Sequence, residues 1–263
     1  MDLNLVGKNA LVCGSSQGIG RAAAKELSLL GANCTLVARN GERLIESIKF
    51  LDVSKGQTHD HIIADFSDPR ALEEKVMQYL NHHTKGFHIL VNNTGGPPAG
   101  ELIDATEDDF MAAFNAHLLC NHLLTGVVIT GMKQLNYGRI INVISTSVKA
   151  PLVGLGVSNT IRGAVANWSK TLASELAPFG ITVNNVLPGA TETQRLKNII
   201  TAKAEKSGIT ENKVTEAMKA NIPASRFGQP EEVGAAIAFL ATPAAAYVNG
   251  INLPVDGGRL KNL

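Results

Sequence analysis

The 263-residue chain predicts a doubly wound α/β fold: one parallel sheet of about seven strands with helices on both faces, in a single domain spanning 1–263. Three observations carry this expectation. Short apolar, β-branched runs alternate with longer segments of 3.6-residue periodicity. Most of the short runs are apolar throughout, as in parallel strands buried on both faces. No repeat, linker or low-complexity segment interrupts the alternation.

Strands are expected at 10–13, 34–38, 61–64, 89–92, 140–144, 182–186 and 251–255. Between the first two, Ile19, Ala23, Leu27 and Leu30 recur at helical spacing, and Gly31 closes that helix. Longer helices are read at about 107–133, 157–177 and 230–241. Pro254 has no N–H to give a ladder, so the last strand belongs at a sheet edge. Residues 193–222 differ in being charged, Lys-rich and helical in pattern. They read either as an amphipathic surface helix pair or as a helical lid, because insertions between late strands lie beside the carboxyl ends where ligands bind.

Composition narrows the function. With 24 Lys+Arg against 23 Asp+Glu, a net charge of +1 and no run of five like charges, neither a nucleic-acid arm nor a polybasic membrane patch is present. The expected partners are a small-molecule substrate and further copies of the chain. Cys13, Cys34 and Cys120 are odd in number and lie in apolar stretches, which suits reduced, packed thiols in the cytoplasm. The N-terminus has no basic segment or cleavage site, and no uninterrupted apolar run reaches membrane-spanning length. His59-Asp60-His61 and His82-His83 lack a third ligand at metal spacing, so no metal is expected.

The first strand runs directly into Cys13-Gly14-Ser15-Ser16-Gln17-Gly18-Ile19-Gly20 and then a helix. Glycines there permit a tight turn and a close approach of backbone N–H groups to a diphosphate at the helix N-terminus, where the macrodipole favours negative charge. Gly14, Ser15, Ser16, Gly18, Ile19 and Gly20 are therefore candidate nucleotide contacts.

The G-x-x-x-G-x-G spacing resembles the short-chain dehydrogenase/reductase family, and the resemblance extends along almost the whole chain. Asn92-Asn93-Thr94-Gly95, Gly138 to Ser145, Ile181 to Gly189, Thr193, Arg226 to Glu232 and Val255-Asp256-Gly257-Gly258 fall in order at that family's spacing. The resemblance implies a Rossmann fold and a nicotinamide cofactor, with Asp65 and Phe66 near the adenine. It also places Asn92 and Gly95 along the cofactor, and Pro188, Gly189, Thr191 and Thr193 around the nicotinamide. Where an acidic residue would hold the ribose of NAD, this chain has Ala38 followed by Arg39. A cation with no competing carboxylate favours the 2′-phosphate of NADP, so NADPH is expected over NADH. Family members are commonly tetramers, so a homotetramer or homodimer is expected.

By the same resemblance, Ser145 polarises the substrate oxygen and Asn115 supports the site. The proton-donor Tyr position is Ser158 and the ribose-binding Lys position is Arg162, so Y-x-x-x-K has become S-x-x-x-R. A serine hydroxyl is a far weaker acid than a phenol, and a guanidinium keeps its proton while still binding a diol or carboxylate. Lys149, His117 and Tyr137 are the replacement donors to weigh; Tyr79 and Tyr247 lie in a peripheral helix and a late loop. Gly95-Gly96-Pro97-Pro98-Ala99-Gly100 reads as a stiff loop or as a preformed pocket wall. The expected function is an NADP(H)-dependent oxidoreductase interconverting hydroxyl and carbonyl groups with an altered tetrad. A catalytically altered NADP(H)-binding sensor or scaffold, or a non-redox lyase or isomerase, stand as alternatives.

Overall fold

The computed structural model describes residues 1–83 and 86–262. Seven parallel strands form one sheet: β1 (Asn9–Cys13), β2 (Asn33–Ala38), β3 (Asp60–Ile63), β4 (Ile89–Asn92), β5 (Gly138–Val143), β6 (Ile181–Pro188) and β7 (Asn252–Val255), in the order β3-β2-β1-β4-β5-β6-β7. The doubly wound topology follows from that order, which reverses direction between β1 and β4. A crevice opens at such a switch point beyond the strands' carboxyl ends. β5 starts two residues earlier than its apolar run, because Arg139 is accepted into the strand by carbonyls of Gly138, Gly180 and Thr242. Pro254 lies in β7 at the sheet edge, as its missing donor requires.

Alternation along the strands divides the core in two. Ala10 and Val12 of β1 face α1 (Gly18–Leu29), α2 (Gly41–Ile48) and α9 (Pro230–Ala241), packing on Ala23, Leu27, Leu44, Val233 and Ile237. Leu11 and Cys13 face the other way, toward α3 (Pro69–His82), α5 (Cys120–Gln134) and α6 (Gly156–Leu176). All three thiols are free and buried, and burial raises the pKa of each, that of Cys34 and of Cys120 to about 12.

The helix expected over 107–133 is one continuous run of turns but not one regular helix. α4 (Glu107–Phe114) starts on a capping box between Thr106 and Asp109. It then passes through a π-turn at Asn115–Leu119, where the Cys120 N–H reaches back five residues to the Asn115 carbonyl, before continuing as α5. Glu107–Gln134 is the one helical run among the described residues long and apolar enough to match a membrane span, and its second half packs against the sheet in the core described above. The charged stretch folds as α7 (Gln194–Ser207), capped by Thr193 and ended by Gly208, and α8 (Glu211–Ala220), capped by Thr210. These two helices share a small core of Leu196, Ile200, Val214, Ile222 and Phe227.

Candidate nucleotide and active site

The glycine loop leaves β1 and enters α1 with Gly14 and Gly18 at positive φ, +58° and +57°. A Cβ on Gly14 would stand 2.6 Å from the Asn93 carbonyl oxygen, and one on Gly20 would stand 2.3 Å from the Gly14 carbonyl oxygen. Side chains are thus excluded by backbone, and the loop is a concave cradle at a helix N-terminus. Asn93, at the end of β4, donates its side-chain amide to the Cys13 and Gly14 carbonyls, each at 3.2 Å, and clamps the cradle. Thr193 forms the opposite wall, with its methyl 3.3 Å from where a Gly18 Cβ would be.

Several of the candidate nucleotide contacts are placed differently from their expected roles. Ser15 is wholly buried; its Oγ donates to the Val12 carbonyl and accepts from the Val37 N–H, while its own N–H donates to the Val37 carbonyl. Ser15 therefore ties β1 to β2 and has no group left for a phosphate. Ser16 and Ile19 remain at the half-buried rim of the loop. The Asn92 amide donates to Asn142 across β4 and β5, so the polar work at the loop falls to Asn93, its neighbour. Arg39 is exposed at the end of β2, but the expectation that no carboxylate competes for it is corrected: Asp65 lies 3.9 Å away, also exposed. Phe66 is buried among the apolar residues behind that pair. Thr191 is buried and donates to the Gly189 carbonyl, the Gly189 N–H binds the Val255 carbonyl, and Pro188 ends β6 beside them.

At the carboxyl end of β5, Ser145 accepts the Ser147 N–H at 3.1 Å, which leaves its hydroxyl hydrogen to donate. Arg162 stands beneath it on α6. Its Nη1 donates to the carbonyls of Val143 (3.2 Å) and Ile144 (2.8 Å), and its Nε donates to Ser158 Oγ at 3.1 Å. Both residues are buried. The arginine thus joins the helix to the strand end that carries Ser145. Burial, reinforced by the nearby Arg195, lowers the Arg162 pKa to about 10, so it stays a cation at neutral pH.

Asn115 opens the π-turn, and two residues on, His117 is buried with its ring hydrogen-bonded to the Gly95 backbone. Burial first, then Arg162 and Arg195, push His117 down to about 3, so it does not titrate near neutrality as a replacement donor would. Lys149 ends the short turn 146–148, exposed at the mouth of this region. Tyr137 lies at the opposite end of β5, donating to the Ala241 carbonyl under Lys8 and Arg139. Tyr79 shares a hydrogen with Thr35, and Tyr247 is fully exposed. No tyrosine reaches Ser145.

Sequence reasoning missed Arg195. From α7 it donates to the Gly96 carbonyl at 2.8 Å and the Pro97 carbonyl at 3.0 Å, tying the charged helix to the Gly-Pro loop. Beside this tie lies a cavity of about 340 Å³, lined among others by Gln17, Gly95, Gly96, Pro98 and Arg195. A groove of about 390 Å³ between α3 and α5 lies on the flank of the sheet, away from these groups.

A family model described as Enoyl-(Acyl carrier protein) reductase matches residues 14–259, and the chain belongs to that short-chain dehydrogenase/reductase family. Among its relatives, 3-oxoacyl-(acyl-carrier-protein) reductase FabG of Vibrio cholerae serotype O1 is 34% identical over 259 residues, covering 97% of this chain and 98% of that one. The NADPH-dependent reductase BacG of Bacillus subtilis is 30% identical over 258 residues, covering 97% and 99%. Among solved structures, L-sorbose reductase from Gluconobacter frateurii, complexed with NADPH and L-sorbose, superposes with a TM-score of 0.92 at 30% identity over the full length of both chains.

Proposed function

We propose that the protein is an NADP(H)-dependent oxidoreductase that interconverts a hydroxyl and a carbonyl group of a small molecule, using Ser158 and Arg162 at the positions of the family's Tyr and Lys. The observation that carries this reading is the meeting of three features beyond the strand ends. They are the glycine cradle after β1, the Thr193 wall after β6 and the Ser145 hydroxyl after β5.

Gly14, Ser16, Gly18, Ile19 and Gly20 would hold the diphosphate, Arg39 the 2′-phosphate, Asp65 the adenosine, and the Gly95, Pro188–Thr193 side the nicotinamide. The cradle fits that group because no Cβ is tolerated where the backbone must approach it. When bound, the cofactor supplies or accepts the hydride at the substrate carbon. Ser145 donates to the substrate oxygen and orients the carbonyl. Ser158, whose oxygen already accepts from Arg162, has its hydrogen free for the same oxygen and passes on a proton that solvent replaces. Hydride reaches carbon and a proton reaches oxygen, so the reduction balances. The α7–α8 pair serves as the substrate lid over residues 193–222 of the single domain. The protein works as a soluble cytoplasmic homotetramer or homodimer.

The test is NADPH consumption over ketones, aldehydes, 3-oxoacyl thioesters and keto sugars, run beside NADPH binding. Turnover of at least one class is expected, with Ser145→Ala lowering kcat/KM by about a hundredfold or more. A second reading, an NADP(H)-binding sensor, draws on the weakness of Ser158 as an acid. NADPH binding with no turnover on any panel member would favour it.

A further inference from the structure

Arg195, Ile199, Ala202 and Lys206 recur along α7 at steps of four, three and four residues and so form one stripe of the helix. Both ends of the stripe reach the loop that follows β4. Arg195 donates to the Gly96 and Pro97 carbonyls, and Lys206 meets Glu101 at 3.5 Å. About three helical turns separate the two cations, roughly 16 Å at about 1.5 Å per residue. Their partners are separated by roughly the same span of extended chain, at about 3.3 Å per residue. The loop therefore runs alongside the helix. Between the two ties, Ile199 and Ala202 line the same cavity of about 340 Å³ as Pro98 and Ala99, so helix and loop enclose a hollow there. Gln17 of the glycine loop lines it too, and the hollow thereby reaches the nucleotide cradle.

The other face of α7 is apolar: Leu196, Ile200 and Ala204 pack with Val214, Ile222 and Phe227. The excursion that carries both helices is pinned at its base, where the Glu192 N–H donates to the Gly228 carbonyl at 2.8 Å and the Gly228 N–H to the Ala190 carbonyl at 2.9 Å. Beyond α8, the Ala224 N–H donates to the Gly257 carbonyl and fixes that end to the turn after β7. The ties of α7 to the Gly-Pro loop are of another kind, since both are polar. Lys206 and Glu101 are exposed, and such a pair contributes little. Arg195 is half-buried and makes two charge-assisted bonds, with its guanidinium seated on Gly96. A Cβ on Gly96 would stand 2.5 Å from Arg195 Cζ, so the seat exists because the residue is glycine. Parting α7 from the loop breaks these polar bonds and leaves its apolar face on α8.

We propose that α7 is the moving wall of the nucleotide cleft and that Arg195, seated on Gly96, is the catch that sets how fast NADP(H) enters and leaves. This rests on the reading above, since it takes the cradle to hold the nucleotide. Arg195 is then a positioning residue: it acts on the wall and not on the reacting atoms. Entry and exit both require the wall to part from the loop, so a catch that stabilises the closed arrangement slows both. A side chain that instead gripped the nucleotide directly would slow exit and leave entry unchanged.

The experiment is stopped-flow measurement of NADPH association and displacement on the full chain, followed by the fluorescence of the nucleotide. Arg195→Gln is expected to raise both rates about tenfold and to change Kd far less, with Arg195→Lys restoring part of the slowness. Gly96→Ala keeps the arginine but removes its seat, and since Gly96 has no positive φ the alanine adds no backbone strain. It is expected to raise both rates in the same way, and the double variant to be no faster than Arg195→Gln alone. Unchanged rates in either variant, faster exit with unchanged entry, or additive effects in the double variant would overturn the proposal. Amide hydrogen exchange over residues 95–101 of the nucleotide-free chain gives a second readout: faster exchange in both single variants supports the catch, and unchanged exchange overturns it. Failure of the wild-type chain to bind NADPH removes the functional reading instead, and the exchange measurement then decides the catch by itself.

Discussion

Arg39 and Asp65 face each other across 3.9 Å just beyond the carboxyl ends of β2 and β3, both exposed to water. An exposed pair of that kind is worth less than about 1 kcal/mol, whereas a charged hydrogen bond to a phosphate is worth about 1.5–3 kcal/mol. On the proposed cofactor assignment, a 2′-phosphate would therefore outcompete Asp65 for the arginine. Arg39→Ala is expected to weaken NADPH by roughly ten- to a hundredfold and NADH little, read by quenching of Trp168 fluorescence. Equal losses for both nucleotides would contradict this assignment. At this scale the sequence was legible wherever a motif names a backbone position, as at Gly14, Gly18 and Gly20. It was not legible where neighbouring residues of one type share a motif. Ser15 and Ser16 read alike, yet the first is fully committed to Val12 and Val37. Asn92 and Asn93 likewise differ only in which way the chain turns after β4. Arg195 carried no signal at all, because its partners are carbonyls 99 and 98 residues away.

The elements themselves were legible because each has its own period and punctuation. The seven strands all fall within two residues of their apolar runs, the largest departures being the early start of β5 at Gly138 and the continuation of β6 to Pro188. What periodicity cannot report is a change of hydrogen-bond step inside an unbroken apolar run, as at Asn115, or how closely two helices approach. α1 and α9 cross with Gly234 against the backbone of Ala22, where an added Cβ would lie 2.9 Å from the Ala22 carbonyl carbon. Backbone cannot swing aside as a side chain can. Gly234→Ala is therefore expected to destabilise the fold by about 1–3 kcal/mol, an overpacking cost that outweighs the better helix propensity of alanine. Thermal or denaturant unfolding measures it, and an unchanged or raised midpoint would show that the helices can separate.

For the molecule as a whole, the pH dependence of stability follows from two imidazoles kept neutral. Burial and the flanking cations hold His117 down to about 3, and burial with Lys8 holds His88 down to about 4, where its Nδ1 accepts the Asn9 N–H. Unfolded histidine titrates near 6.5, so above that value neither state gains a proton and stability is complete. As pH falls below about 6.5 the unfolded chain takes up protons that the native one refuses, and stability is lost at up to about 1.4 kcal/mol per unit for a fully buried group. The half-exposed His88 contributes less. Carboxylates stay largely ionised in both states down to about pH 5.5, so the loss between about 6.5 and 5.5 reports the imidazoles. His117→Gln is expected to flatten that limb of a Tm-against-pH curve; a limb unchanged by the substitution would place its cause elsewhere.

The far edge of the sheet has a consequence for how the molecule meets its surroundings. The carbonyls of Ile251, just before β7, and of Val255 at its end face β6, receiving the N–H groups of Asn185 and Gly189. By the two-residue alternation of a strand, Pro254 turns its nitrogen outward. The missing hydrogen costs the β6–β7 ladder nothing and removes a rung from the side that faces away. An eighth strand arriving there would find a broken template. Growth by edge pairing thus stops at β7 by covalent chemistry, and any neighbour settling on that flank must be recognised through side chains.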